Sequence, residues 1–326
     1  MKKFNLISIC FSFVIAIALL SCEAPRNNPL DPLNAENNLA SIDGSVKTMG
    51  FPNLPVKEVE VIWKNNLTTV RTDNNGNYTF VNIEKADGWL IFRSDLYSED
   101  SLFIQWGTEK KKSLETFLNA KPIADSIQIY SIVQNRFQFT QLYELFVAVK
   151  LSDEDGANDI DSVFIESQVF NTKQALQFNS ETGFYERKFA LSELNVTFID
   201  ETIGKDFEFL IKDLDGRYFN VGSSNVKRII RDEVKLLSPL NNEISSQPVF
   251  LNWERFLPGF DFSYSVEVFT NQSPAELVWH KENISSDDIS IFTDSSFTSG
   301  DYFWVIWAID EFLNRSRSKP ATFRIE

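Results

Sequence analysis

The sequence has few of the side chains on which most catalytic and metal centres depend. Its 326 residues include one histidine, His280, and two cysteines, Cys10 and Cys22, which both lie near the amino terminus. Beyond Cys22 there is no thiol for a disulfide, a nucleophile or a metal site, and no second histidine for a catalytic relay. We expect His280 to be an exposed strand residue. No glycosidase-type signature singles out two of the 46 acidic residues, so the sequence predicts a protein that is not an enzyme.

The chain also has fewer basic than acidic residues, and no long segment repeats apolar residues with the period of a helix. There are 31 Lys and Arg residues against 46 Asp and Glu, a net charge of −15, and the acids are scattered along the chain. Nucleic acid and anionic lipid surfaces are therefore disfavoured as partners. The 30 Phe, 8 Tyr and 7 Trp residues lie mostly in short alternating runs separated by Asn, Asp, Gly or Pro. This pattern predicts an all-β chain of tandem β-sandwiches.

The amino terminus has the features of an export signal. Lys2 and Lys3 precede the apolar run Phe4–Leu20, which is followed by Ser21 and Cys22. The stretch Leu-Leu-Ser-Cys resembles the lipobox of bacterial lipoproteins. The resemblance implies a signal peptide over 1–21, cleavage before Cys22 and lipidation of Cys22. An uncleaved membrane anchor and an ordinary secreted protein are the alternatives.

Lipid on Cys22 would place the protein in the cell envelope, anchored to a membrane by acyl chains. We expect the outer membrane or the cell surface rather than the inner membrane, although Glu23 after the cysteine does not decide between them. Residues 22–40 are rich in Asn and Pro and are expected to form an extended tether. Removal of 1–21 takes away two lysines and no acid, so the net charge becomes −17.

The first predicted domain covers 41–122 and has an Asn-Gly turn at Gly76 between alternating runs. It resembles the carboxypeptidase regulatory-like (transthyretin-like) sandwich, except that Leu96 precedes Tyr97 where a glycine is usual. The resemblance implies a module without catalytic residues. The matching positions are Gly44, Val46, Pro55, Val59, Val61, Thr72, Asp73, Gly76, Asn77, Tyr78, Phe80 and Tyr97.

Two further sandwiches are predicted after the first. Residues 123–232 hold short alternating runs with Asp-Gly turns and resemble an immunoglobulin-like domain. Residues 233–326 resemble a fibronectin type III domain. The segment Phe312–Asn314 departs from that pattern, since a Gly-Asn turn is commoner there. The matching runs are Ser238-Pro239, Leu251–Trp253, Tyr264–Val268, Ser299–Asp310 and Phe323–Ile325.

An acidic loop is the best candidate for a metal site. Calcium prefers six to eight oxygen ligands, and closely spaced Asp and Asn residues around a turn glycine supply several. The spacing does not follow the EF-hand pattern, and the alternative is a polar turn whose side chains bind their own backbone. The candidate calcium ligands are Asp153, Asp155, Asn158, Asp159 and Asp161.

A second candidate site is an apolar face in the last predicted domain. If Tyr302, Trp304, Ile306 and Ala308 point inward, period two sends Phe303, Val305 and Trp307 outward. The same reasoning sends Phe269 outward on the neighbouring strand. The ligand-binding candidates are therefore Phe269, Phe303 and Trp307. The alternatives are that the second domain or residues 271–283, including Trp279, cover this face.

These observations favour a non-catalytic, lipid-anchored envelope protein that acts as a binding or scaffold module for protein or glycan. One alternative is a surface glycan-capture lipoprotein that works with an outer-membrane transporter. Another is a carboxylate-dependent hydrolase, or an accessory to one. The expected partners are a membrane, through lipid on Cys22, and an envelope protein or polysaccharide. No cofactor is expected beyond a structural calcium.

Overall fold

The structure is a computed structural model that describes residues 38–326. The predicted signal peptide, Cys22 and most of the predicted tether lie outside these residues. The described chain is confirmed as all-β, with three short 3₁₀ turns at Ala157–Asp159, Leu191–Leu194 and Ile199–Thr202. Within it no helix is long and apolar enough to cross a membrane. The chain divides into two compact units, one ending at Lys121 and one covering Pro122–Glu326.

The first unit is a sandwich of two sheets. Its strands are β1 (Leu39–Thr48), β2 (Glu60–Trp63), β3 (Thr68–Arg71), β4 (Asn77–Glu84), β5 (Gly88–Arg93), β6 (Asp100–Ile104) and β7 (Lys111–Leu118). One sheet has the order β4-β1-β7 and the other β3-β2-β5-β6. Alternation in the strands directs every second side chain inward, so that Trp63, Phe80 and Phe92 are fully buried between the sheets.

The positions that carry the first domain's sequence resemblance have structural roles. Gly76 has a φ of +75°, and a Cβ atom there would lie 2.4 Å from the carbonyl oxygen of Val46. The Thr72 hydroxyl donates to the Val56 carbonyl at 2.7 Å and accepts from the Val59 amide at 2.9 Å. Gly76 therefore permits the turn before β4, and Thr72 fixes the segment that leads into β2.

The second unit contains two sandwiches with separate cores. The second sandwich consists of β8 (Ile123–Gln134), β9 (Leu142–Ser152), β10 (Ile160–Ser167), β11 (Thr172–Asn179), β12 (Phe184–Ala190), β13 (Phe207–Asp213) and β14 (Tyr218–Ser224). Strand β11 pairs with β10 through its first half and with β12 through its second half. It therefore crosses from one sheet to the other. Phe189, Phe207 and Phe209 are fully buried in the core.

The third sandwich ends the chain. Its strands are β15 (Leu236–Ser238), β16 (Glu243–Ile244), β17 (Phe250–Trp253), β18 (Phe262–Thr270), β19 (Leu277–Ser285), β20 (Ser290–Phe292), β21 (Gly300–Asp310), β22 (Arg315–Arg317) and β23 (Ala321–Ile325). A small sheet, β15-β17-β20, faces a larger one that contains β22, β21, β18 and β19. Trp253, Tyr264 and Trp304 are fully buried in the core.

The second and third sandwiches share one sheet. Strand β22 pairs in parallel with the end of β8, with Arg315 opposite Ile132 and Arg317 opposite Gln134. The sheet therefore continues from β12 through β9, β8, β22, β21 and β18 to β19. We call it the joined sheet. Because backbone hydrogen bonds cross the boundary, the two sandwiches have a fixed relative position.

A buried network of hydrogen bonds joins the second and third sandwiches at this boundary. The Asn314 side chain accepts from the Ser131 amide at 2.9 Å and donates to the Asp310 carboxylate at 3.1 Å. Asp310 also pairs with Arg228 at 3.4 Å. The turn itself places Leu313 at a φ of +69°, in the position where the fibronectin pattern favours glycine. Asn314 is fully buried, so its hydrogen bonds are made away from water.

Candidate functional site

The outer face of the joined sheet carries a row of aromatic and charged side chains, which we call the junction face. The direct pairing of β21 with β18 and β22 places these side chains on one side of the sheet, and the alternation of β8 and β9 adds more. Its members are Phe269, Phe303, Trp307, Glu267, Arg317, Arg315, Tyr130 and Phe146. All except Tyr130, which is buried, are half-buried.

The three aromatic residues predicted from the sequence lie on this face. Phe269 and Phe303 stand opposite each other and their rings stack at 5.1 Å with an angle of 12°. The Trp307 indole N–H donates to the Glu267 carboxylate at 3.0 Å. Glu267 stands opposite Val305, so the indole extends along the sheet rather than straight into solvent. Val305 lies on the same face but is fully buried.

The second sandwich and the segment 271–283 were the two parts of the chain that could have covered the junction face, and neither covers it. Strand β19 extends the sheet as its edge strand, so residues 277–285 lie beside β18. Trp279 belongs to the core of the third sandwich, and its indole donates to Asp294 at 2.6 Å. The second sandwich meets the third at the strand edge through β8 and β22. The aromatic side chains therefore keep partial exposure within the second unit.

The second sandwich extends the row with residues that the sequence did not single out. Tyr130 stacks on Phe146 with ring centroids 4.9 Å apart, and the Arg315 guanidinium lies 4.6 Å from the Tyr130 ring. Period two in β8 and β9 could have placed Tyr130 and Phe146 on an outer face. Nothing in the sequence pairs β8 with β22, so the position of Tyr130 under Arg315 was not predictable.

Arg317 occupies the centre of the junction face. Its guanidinium carbon lies 5.8 Å from the Trp307 ring centre, and its Nε atom is buried without a hydrogen-bond partner in the described structure. Burial lowers the pKa of the guanidinium below its ordinary value. The nearby carboxylates of Glu267 and Glu144 oppose that change, whereas Arg136 adds to it. At neutral pH the group still carries its positive charge.

Another pair of outward aromatic rings lies in the first unit. Trp89 and Phe103 stand opposite each other on β5 and β6, with ring centroids 5.1 Å apart. Both are 44% exposed, so they are more open than the junction-face rings. No charged side chain stacks on either ring among the residues with described positions. This pair serves below as a matched control for the junction face.

The acidic loop gathers some of the predicted calcium ligands. Burial raises the pKa of Asp153 to about 6, and the charges of Asp155 and Asp159 act in the same direction. The pKa of Asp159 is also raised by burial, and then by Asp213 in the β13–β14 hairpin. Asn158 is exposed, and Asp161 instead binds Lys212 at 2.8 Å.

The loop also has features of the polar turn that was the alternative. The Asp155 amide donates to the Asp153 carboxylate at 2.8 Å, and the Gly156 amide donates to the Asp153 carbonyl at 3.0 Å. Within residues 38–326 no three Asp, Glu, His or Cys side chains are arranged to hold a metal ion. The calcium site stays a prediction.

The raised pKa of Asp153 makes the stability of the second unit depend on pH. Its folded-state pKa of about 6 exceeds the ordinary value of 3.8, so the folded state binds the proton more tightly. Stability should increase as the pH falls from 7 to 4, by about 1 kcal/mol after discounting for solvent screening. Asp153→Asn keeps the oxygen that accepts from Asp155, so it should raise stability at pH 7 and remove this increase.

Chemical denaturation of the variants at pH 4.5 and pH 7 would measure the effect. Asp161→Asn is the matched control, because Lys212 lowers the pKa of Asp161. Its carboxylate stabilises the fold at neutral pH and loses that effect as the pH falls, so this variant should be less stable at pH 7. An Asp153→Asn variant with the unaltered pH dependence would contradict the assignment.

Two acidic residues that line the described cavities are bound to lysines. A cavity of about 260 Å³ is lined by residues that include Glu233, Val234 and Lys319, and Glu233 pairs with Lys319 at 2.9 Å. A neighbouring cavity of about 420 Å³ includes Glu254, which pairs with Lys235 at 3.5 Å. His280 is exposed on β19, opposite Glu267.

Comparison with known proteins identifies no family. No protein-family model matches the chain, and no curated protein matches it. Solved structures of low sequence identity are similar to it. A presumed carbohydrate-binding protein from Bacteroides uniformis is 12% identical, with 58% of this chain and 99% of that chain covered and a TM-score of 0.23.

Two further structures have the same low level of similarity. BcpA, the major pilin subunit of Bacillus cereus, is 11% identical, with 88% of this chain and 97% of that chain covered and a TM-score of 0.28. The FN1–FN3 domains of chicken CNTN1 are 11% identical, with 82% and 90% covered and a TM-score of 0.31. Similarity at this level transfers no function, and the β-sandwich class is evident from the chain's own sheets.

Proposed function

We propose that this protein is a non-catalytic, lipid-anchored module of the cell envelope that binds polysaccharide through the junction face. The observation that carries the proposal is the row of half-buried rings on the outer face of the joined sheet. A ring that lies along a sheet offers one open face, on which the C–H groups of a sugar can stack. Neighbouring Glu and Arg side chains can bind sugar hydroxyls.

The composition of the face favours a glycan over a protein. The core of a protein interface is depleted of acidic residues, because each buried carboxylate must be desolvated, whereas Arg and aromatic residues are enriched there. On the junction face the carboxylate of Glu267 lies among the rings instead of around them. The charged groups stay half-exposed and can bind a polar, hydrated ligand without full burial.

The remaining parts of the chain would place this face at a distance from a membrane. Lipid on Cys22 would anchor the protein, and the segment 22–40 would act as a tether. The first sandwich, which resembles a carboxypeptidase regulatory-like module in sequence, would be a spacer. The strand pairing of the second and third sandwiches gives the binding face a fixed shape, which reduces the entropy lost on binding.

Trp307→Ala should reduce retention of the full-length chain on an insoluble polysaccharide about tenfold, because a lost stacking contact costs about 1.4 kcal/mol. The measurement is a pull-down from mild detergent against a panel of polysaccharides. Near-ultraviolet circular dichroism would verify that the variant is folded.

Trp89→Ala is the control, since it removes an outward tryptophan from the face of another sandwich. It should leave retention unchanged. Retention that depends on Trp89 and not on Trp307 would move the binding site to the first sandwich and contradict the proposal.

A further inference from the structure

Three arginines at the boundary of the second and third sandwiches form no direct ion pair with any described residue. Within the described part of the chain, Arg136, Arg315 and Arg317 form no ion pair within 4.0 Å. Within residues 38–326, the only side-chain hydrogen bond that these arginines donate runs from Arg315 to the Leu313 carbonyl, at 3.3 Å. This is unexpected in a chain with a net charge of −15, where carboxylates are abundant.

Two of these guanidinium groups are held in place by aromatic rings. Arg315 lies over Tyr130 and Arg317 lies near Trp307, and both belong to the three-residue strand β22. Residues two apart on a strand point to the same face and are separated by about 7 Å. A planar guanidinium backed by a ring keeps its outer N–H groups available for a carboxylate.

The two carboxylates whose charges act on Arg317 are hydrogen-bonded to neutral donors. Glu267 accepts from the Trp307 indole at 3.0 Å, and Glu144 accepts from the Gln134 amide at 3.1 Å. Both remain half-exposed and can accept further hydrogen bonds from hydroxyl groups. The face thus combines stacking rings, unpaired cations and hydroxyl acceptors.

We infer that the ligand of the junction face is an acidic polysaccharide, whose sugar carboxylates bind Arg315 and Arg317 while its rings stack on Trp307 and its neighbours. This inference rests on the proposed function and specifies its ligand. A neutral glycan would leave the guanidinium charges unpaired. An acidic peptide would pair them but would supply neither the flat C–H faces nor the hydroxyl groups.

The test compares polygalacturonate with its fully methyl-esterified form, which has the same sugar without the charge. The full-length chain should bind polygalacturonate and bind the ester at least tenfold more weakly. Arg315→Gln and Arg317→Gln should each reduce binding of the acid form about tenfold, and the double variant about a hundredfold.

Arg255→Gln/Arg324→Gln is the matched control, because both arginines are exposed and ion-paired in the same sandwich. It should bind as the unaltered chain does, and melting temperatures would verify that each variant is folded. Equal binding of acid and ester, or unchanged binding by the Arg315→Gln/Arg317→Gln variant, would overturn the inference. Loss of binding in Trp307→Ala would still support the proposed function in that case.

Two other results would also overturn it. One is that the unaltered chain does not retain polygalacturonate; retention of neutral polysaccharides through Trp307 would then leave the proposed function intact. The other is that polyglutamate binds as tightly as polygalacturonate and with the same dependence on Arg315 and Arg317, which would identify an acidic polypeptide as the ligand class.

Discussion

Asn314→Ala is expected to destabilise the second unit by about 2–4 kcal/mol and to uncouple its two sandwiches. The Asn314 side chain is fully buried and joins Ser131 in the second sandwich to Asp310 in the third. Alanine leaves the Ser131 amide without its acceptor and removes the side-chain NH2 group that donates to both oxygens of the Asp310 carboxylate. An unpaired buried group of this kind costs its full desolvation energy.

Denaturation followed by circular dichroism and by tryptophan fluorescence would measure this effect. The unaltered unit should unfold in one transition, and the variant in two, as each sandwich unfolds alone. Asn220→Ala is the control, since Asn220 is exposed and its side chain, which donates to Glu208 and accepts from the Gly222 amide, bonds only within the second sandwich. It should change stability by no more than about 0.5 kcal/mol. A single transition of unchanged stability in Asn314→Ala would show that the polar network does not couple the sandwiches.

Cys22→Ser is expected to abolish lipid attachment completely. The thioether with the lipid needs the sulfur of Cys22, and a serine hydroxyl does not replace it. Cells that express the chain and incorporate a labelled fatty acid should show label in the unaltered protein and none in Cys22→Ser. The variant should also lack the proposed processed, detergent-partitioning form, in which acyl chains would hold the protein in a membrane.

Cys10→Ser gives a matched control for this experiment. Cys10 lies within the apolar run that the lipobox resemblance assigns to the removed segment. Its replacement should therefore leave fatty-acid incorporation and processing unchanged. Label that persists in Cys22→Ser, or that disappears in Cys10→Ser, would exclude Cys22 as the lipidation site.

The sequence predicted the fold class because strand periodicity is local. In β21 the alternate residues Tyr302, Trp304, Ile306 and Ala308 form part of the third core, as period two requires. Phe303 and Trp307 are consequently on the other face. The turn after β21 was harder to predict, because Leu313 adopts the left-handed conformation that usually favours glycine.

The joining of two sandwiches was not predictable, since it depends on pairing between distant segments. Strand β22 has only three residues, and Arg315 and Arg317 have the sequence character of an ordinary polar surface. The parallel pairing of β22 with β8, nearly 200 residues earlier in the chain, places these two arginines on the junction face. The surroundings of the acidic loop were not predictable for the same reason. Asp213, whose charge acts on Asp159, belongs to another hairpin, and the Asp-Gly pair of that hairpin indicated only a turn.

The most direct test of polysaccharide binding at the junction face is side-chain footprinting with hydroxyl radicals, with and without a retained soluble polysaccharide. Aromatic rings react readily with hydroxyl radicals when they are accessible, so the extent of oxidation measures how far a ligand covers each ring of the junction face. We expect protection of Phe303, Trp307 and Phe146 on binding, with Trp89 and Phe103 unchanged. Protection confined to Trp89 and Phe103, or binding without protection of Trp307, would contradict the assignment of the junction face as the binding site.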